Sequence, residues 1–234
     1  IQKITGIPSA VLRKEKSHMC WTVAQRMSWA AGRRTKRVED RAYSLLGLFQ
    51  LNMTLLYGEG ISAFQRLQLE LLQRYPDESV FAWASQSGQS NHVLAGSPDD
   101  FKNSGLLEPP DAQHRVKIDP DLRRVNPPRV TSWGIELKVN ARKLVPRRPI
   151  VFNGRTQRFL LAFPLTVAWN ESIQELPCTI VLVRSGPAPY SYQRFDCLFG
   201  DADERIRYLS RYYDVEECAS ETLVYLQFDA KTHF

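Results

Sequence analysis

The sequence has little of what usually announces chemistry. Its four cysteines, Cys20, Cys178, Cys197 and Cys218, are far apart and irregularly spaced, with no Cys-x-x-Cys pair. That spacing excludes the dense disulfide framework of a small secreted domain and the common zinc-site patterns, so reduced, mostly structural thiols are expected. The four histidines, His18, His92, His114 and His233, stand far from one another and from any cysteine at ligand spacing. No metal and no cofactor are expected. Long hydrophobic runs are also missing: the best candidate, residues 159–169, holds Pro164 and is well short of the ~20 apolar residues of a spanning helix. No basic-then-apolar start reads as a signal peptide, so a cytoplasmic chain without membrane contact is expected. Gly-x-Ser-x-Gly, His-Glu-x-x-His and Gly-x-Gly-x-x-Gly are all absent, and no catalytic residue is assigned.

What is present is an ordinary globular composition. Of 234 residues, 43% are apolar and 24% charged, which suits one large or two small folded domains and not a disordered tail. The first residue is Ile1 and the first methionine is Met19, so the chain reads as a piece of a longer product. Charge is unevenly spread. Residues 115–158 hold 12 Lys/Arg against 3 Asp/Glu, and residues 196–229 hold 3 against 9. Such an opposition suits either intramolecular complementarity or an anionic partner; solvated faces are the plainer reading.

Three amphipathic helices are predicted in the first third. Thr22-Val23-Ala24-Gln25 has capping-box form, followed by Val23, Met27 and Ala30 on one face and Gly32 at the end. Residues 38–49 place Val38, Ala42, Leu45 and Phe49 on one stripe, with Gly47 weakening the last turn. Residues 61–74 carry Ile61, Phe64, Leu67, Leu71 and Leu72, and stop at Tyr75-Pro76. The last hundred residues read as strands. Ile135, Leu137 and Val139 alternate with polar residues, and 159–169, 179–183 and 223–228 are of strand length, with a helix over 201–213. The expected class is therefore α+β: a helical module over 1–84, a connecting segment over 85–128 rich in proline from 108 onward, and an antiparallel β-rich module over 129–234.

The candidate site residues cluster in the helical third. Tyr57-Gly58-Glu59-Gly60 precedes the third helix, where glycine amides can grip an anion. Without a following Gly-Lys-Ser/Thr, and with Glu59 inside it, a tight structural turn is the favoured reading. Arg37, Glu39, Asp40 and Arg41 mix signs at short range. Glu39 and Asp40 are adjacent and so diverge by about 100° on a helix, which suits structural pairing with arginine better than a catalytic dyad. The basic run Arg33-Arg34-Thr35-Lys36-Arg37 reads as a solvated loop, with nucleic-acid contact the lesser alternative.

The blocks Val23-Ala24-Gln25-Arg26-Met27-Ser28-Trp29-Ala30-Ala31, Arg37-Val38-Glu39-Asp40-Arg41-Ala42-Tyr43-Ser44-Leu45-Leu46-Gly47-Leu48-Phe49 and Leu55-Leu56-Tyr57-Gly58-Glu59-Gly60, followed by Ala63-Phe64 and Arg66-Leu67-Gln68, together resemble the segment downstream of the core in fungal heterokaryon-incompatibility (HET) domain proteins. Thr54 stands where that family usually has proline. The resemblance runs from about residue 1 to 83. It implies a non-catalytic part of a self/non-self recognition and programmed-cell-death factor. The implied partners are an upstream HET core of the same polypeptide and other incompatibility proteins. On that reading Arg37, Glu39, Asp40, Arg41, Tyr43, Gly47, Tyr57, Gly58, Glu59 and Gly60 are structural motif residues. Two alternatives are a TIR-like NAD-hydrolysing enzyme whose core lies upstream and a basic nucleic-acid-binding module.

Overall fold

A computed structural model of the chain describes residues 2–75, 77–85, 92–106, 128–169, 172–185, 190–199, 202–218 and 222–227. Most of the predicted proline-rich connection, residues 107–127, lies outside them. The fold is α+β, with helices first and a mostly antiparallel sheet after them.

The helical part holds α1 (Gln2–Thr5), α2 (Ser9–Leu12), α3 (Val23–Ser28), α4 (Asp40–Tyr43), α5 (Leu46–Phe49) and α6 (Ser62–Arg74), with short 3-10 segments at His18–Cys20, Glu78–Phe81 and Pro98–Leu106. The capping box forms as read: the Gln25 backbone N–H donates to the Thr22 hydroxyl, and the Thr22 N–H donates to the Gln25 side chain. The single helix expected over 38–49 is instead two short ones. The break falls at Ser44–Leu45, where the Ser44 hydroxyl donates to the Arg41 carbonyl and the Leu45 N–H turns to Ala42, three residues back. The kink still buries Ala42, Leu45 and Phe49, but Val38 precedes α4 and is 55% exposed. Ile61 likewise sits before α6 and is exposed, while Phe64, Leu67, Leu71 and Leu72 are buried as their spacing predicts.

An eight-stranded sheet follows, built from β1 (Arg129–Thr131), β2 (Gly134–Val139), β3 (Arg142–Pro146), β6 (Leu160–Trp169), β7 (Ser172–Arg184), β8 (Ser191–Phe199), β9 (Tyr213–Glu217) and β10 (Thr222–Leu226). The order is β1-β2-β10-β8-β7-β6-β3-β9, antiparallel as expected except at the parallel β10–β8 pair. The remaining strands β4 (Ile150–Phe152) and β5 (Arg155–Gln157) make a separate hairpin around Asn153 and Gly154, both at positive φ. The helix α7 (Ala202–Tyr212) appears where residues 201–213 predict it.

Both faces of the sheet are covered, which explains why residues 160–163 of β6 and 180–183 of β7 are apolar in unbroken runs rather than alternating. Leu161, Phe163, Ile180 and Leu182 face the helical layer and share one core with Met27, Phe49, Leu67 and Trp83. Their neighbours Leu160, Ala162, Val181 and Val183 face the opposite way, into a second core closed by Leu209 of α7 and Phe152 of the hairpin. Residues 93–95 and Phe101 pack into the first core. The charge opposition finds an outlet along the β3–β9 pair, where Lys143 meets Glu216 at 2.8 Å and Arg147 meets Asp214 at 3.0 Å.

Candidate functional site

Eight of the ten motif residues converge on the turn before α6. Glu39 stands at the start of α4 and sends its Oε1 into that turn, where it accepts the Gly58 N–H at 2.7 Å and the Gly60 N–H at 3.0 Å. Gly58 and Gly60 have φ of +104° and +60°, which glycine adopts without steric cost and which aims both amides at one point. The anion cradle suggested by this glycine pair is therefore real in geometry, and its occupant is the chain's own carboxylate. The backbone N–H groups of Glu39 itself, Gly60 and Gly58 hold that carboxyl below the ordinary carboxylate range.

Glu59 is the second hub. Its carboxylate receives Arg66 of α6 in a bidentate pair, Nη2–Oε1 2.6 Å and Nε–Oε2 3.1 Å, and accepts the Tyr43 hydroxyl at 2.7 Å. Tyr43 in turn accepts the Leu56 N–H at 2.7 Å, and Arg66 also donates to the Thr54 carbonyl at 2.7 Å. Burial first, then the hydrogen bond to Glu59, pushes the Tyr43 phenol up. Around this centre Tyr57 donates to Asp40 at 3.0 Å, its ring meets that of Tyr43 edge-on at 5.5 Å, and the Arg37 guanidinium lies 4.7 Å above it. The arrangement clamps α4, the 54–60 turn and α6 together.

Arg41 acts elsewhere. It forms a bidentate pair with Asp99, at 2.8 and 2.9 Å, and Asp99 also accepts the Gly32 N–H at 2.6 Å. Gly47 joins neither cluster: it is exposed in α5, with open space where a Cβ would stand. Arg66 and Asp99 were not singled out from sequence. Arg66 had a signal, standing inside the block that carries the family resemblance and seven residues after Glu59. Asp99 had none, since it lies 58 residues from its partner.

Arg26 is a further residue that sequence reading passed over. It is 1% exposed, packs over the rings of Phe49 at 4.5 Å and Tyr75 at 5.7 Å, and donates to the Leu48 carbonyl at 3.3 Å. Burial lowers its pKa to about 10, which leaves it a cation at neutral pH. Among the described residues no group of three or more His, Cys, Asp or Glu is arranged to hold a metal ion, and no helix is long and apolar enough to cross a membrane.

The Glu59 hub sets a stability expectation. Glu59 and Arg66 side chains are only 17% and 25% exposed, so Glu59→Ala leaves an arginine and a phenol short of an acceptor. The expected cost is about 2 kcal/mol, between the surface and buried ion-pair limits, and roughly a 6 °C fall in Tm. Arg13→Ala, which breaks the exposed Arg13–Glu15 pair, is expected to move Tm within error. Paired thermal melts check the contrast.

Acid sensitivity follows from the same contacts. The Arg41 hydrogen bond first, and then the Gly32 N–H, hold Asp99 below its ordinary 3.8 against the opposing effect of burial; Glu39 is held below 4.5. A carboxyl depressed in the folded state contributes stability that is complete above its ordinary value and is lost as pH falls through the depressed one. Stability is therefore expected to decline from about pH 4.5 downward, and Asp99→Asn to flatten part of that decline in melts run from pH 7 to pH 3.

Fold and contacts together define an α+β chain in which the motif residues other than Gly47 hold helices and turns to one another. Residues 62–104, which include Arg66, Trp83 and Asp99, match the family described as "Domain of unknown function (DUF8212)". A 69-residue stretch is 44% identical to "Vegetative incompatibility protein HET-E-1" of Podospora anserina, covering 29% of this chain and 5% of that protein. The chain thus carries a segment similar to a vegetative incompatibility protein and spans a small fraction of that relative's length. No solved structure matches it.

Proposed function

We propose that this chain is a non-catalytic part of a heterokaryon (vegetative) incompatibility protein that acts in fungal self/non-self recognition and programmed cell death. The similarity to the Podospora protein carries the reading. The motif geometry supports the scaffold role. Glu39 is occupied by two backbone amides, Glu59 by an arginine and a tyrosine, and Asp99 by an arginine and an amide. Carboxylates so engaged fix the relative placement of α4, the 54–60 turn, α6 and the 98–106 segment, and the surface they shape is offered to a HET core of the same polypeptide and to other incompatibility proteins in the cytoplasm. The test is vegetative fusion of strains carrying the longer gene, wild type or Glu59→Ala/Arg66→Ala, with an incompatible partner. Death in the wild type and survival in the double variant is the expected outcome. Equal survival of both, or turnover of NAD by the 234-residue chain alone, overturns the reading.

A further inference from the structure

On the sheet face opposite the motif cluster, α7 and the β3–β4 connection enclose a cavity of about 440 Å³, within the range of small-molecule sites. Its floor is apolar, from Val181, Phe195, Leu198 and the buried Leu209. Its rim carries three arginines, Arg147, Arg148 and Arg211, against one aspartate, Asp196. Arg147 is paired with Asp214, whereas Arg148 and Arg211 have no carboxylate partner among the described residues. Beside them Tyr208 and Tyr212 stand one helical turn apart, about half exposed, with ring centroids 5.4 Å apart and planes tilted by 58°.

This combination is selective in what it fits. Unpaired guanidinium groups at a cavity mouth suit phosphate or carboxylate oxygens, which they bind in a planar fork. Half-exposed tyrosine rings offer a stacking surface for a planar heterocycle, and stacking on such rings is sequence-tolerant among bases. An inorganic anion leaves the apolar floor and the rings unused, and an uncharged apolar ligand leaves the arginines unused. Asp196 spends one oxygen on the Cys197 N–H at 2.7 Å, and its other oxygen can accept from a sugar hydroxyl. We propose that this cavity binds a nucleoside phosphate, with the base on Tyr208 and Tyr212 and the phosphates at Arg148 and Arg211. The site is separate from the motif cluster, and the proposal stands whether or not the incompatibility reading does.

Calorimetric titration of the 234-residue chain with ADP, adenosine and inorganic pyrophosphate tests it. ADP is expected to saturate one site, with adenosine and pyrophosphate each at least tenfold weaker. Arg148→Gln/Arg211→Gln is expected to weaken ADP at least tenfold and Tyr212→Ala several-fold. All three side chains are exposed, so Tm stays within error of the parent. In the unaltered chain, amide resonances of residues 208–212 are expected to shift on ADP addition, a readout that needs no variant. No saturation by ADP at millimolar concentration overturns the proposal. So do pyrophosphate binding as tightly as ADP, ADP affinity unchanged in the double arginine variant, and resonance shifts confined to other parts of the chain.

Discussion

Trp83→Ala is expected to lower the stability of this fold by about 4 kcal/mol, roughly a 12 °C fall in Tm. Trp83 is 1% exposed and belongs to the core shared by the helices and the inner sheet face. Its indole N–H has no hydrogen-bond partner among the described residues, so its contribution is packing and ring contact rather than polar pairing. The Arg194 guanidinium lies over the ring, 3.6 Å from its centroid, and the Trp83 carbonyl accepts from Arg194 Nη2. Arg194 comes from β8, 111 residues away, and is 4% exposed. One residue thus ties the helical half to the sheet. Removing the ring opens a cavity and also strips a buried cation of its aromatic face. Trp83→Phe keeps a ring and is expected to lose about half as much. Arg194→Met gives the opposite sign. Its Nη1 is buried without a hydrogen-bond partner among the described residues, so replacing the cation by an apolar chain of similar length is expected to be neutral or stabilising. Chemical denaturation of the three variants separates the outcomes, and a Trp83→Ala protein as stable as its parent would remove this account of the junction.

The same junction shows what a sequence can and cannot display. Periodicity located α6 within a residue, and the alternation of Ile135, Leu137 and Val139 located β2, because in both cases one face is buried and the pattern is local. The stripe that included Val38 and Ile61 overran the helix starts, since spacing alone carries no information on where the chain begins to coil. Strands β3, β8 and β9 went unread. Their signals are short and mixed with charge: Lys143 and Glu216 sit in strands because they answer one another across the β3–β9 ladder. The Asn153-Gly154 turn was legible by its residue type and was missed; it is the local hallmark of a two-residue hairpin.

For the motif cluster the division falls in the same place. Gly58 and Gly60 could be read as a turn able to hold an anion, because positive φ and convergent amides follow from glycine itself. That Glu39 would fill the cradle required knowing that α4 lies against the turn, which only tertiary packing decides. Arg41 and Asp99 are bidentate partners across 58 residues, and no local rule pairs them. Gly47, taken as a motif residue from the family resemblance, makes no contact that its lack of a side chain would explain.

Gly134→Ala is expected to be as damaging as the tryptophan change, for a different reason. The β1–β2 hairpin turns through Ser132 and Trp133, pinned by the Thr131 hydroxyl, which donates to the Gly134 carbonyl at 2.8 Å and accepts the Trp133 N–H at 3.2 Å. Gly134 leaves that turn at φ +126°, in a region closed to residues with a Cβ. At the same point β10 passes alongside, with Leu226 paired to Ile135. A Cβ on residue 134 would stand 2.2 Å from the Leu226 carbonyl oxygen and 3.1 Å from Gln227 Cα, both main-chain atoms that no rotamer change can move aside. Backbone strain of about 1–3 kcal/mol and overpacking of similar size add to roughly 4 kcal/mol, and the β2–β10 pairing is where the strain would be released. Gly154 supplies the control. It too has positive φ, +71°, but nothing lies within 4 Å of its Cβ position. Gly154→Ala therefore bears the conformational penalty alone, about 1 kcal/mol. Hydrogen exchange at Leu137 and Val224 distinguishes the two. Faster exchange there in Gly134→Ala with near-normal rates in Gly154→Ala is expected, whereas equal protection in both would mean that the close approach of β10 to residue 134 does not govern the hairpin.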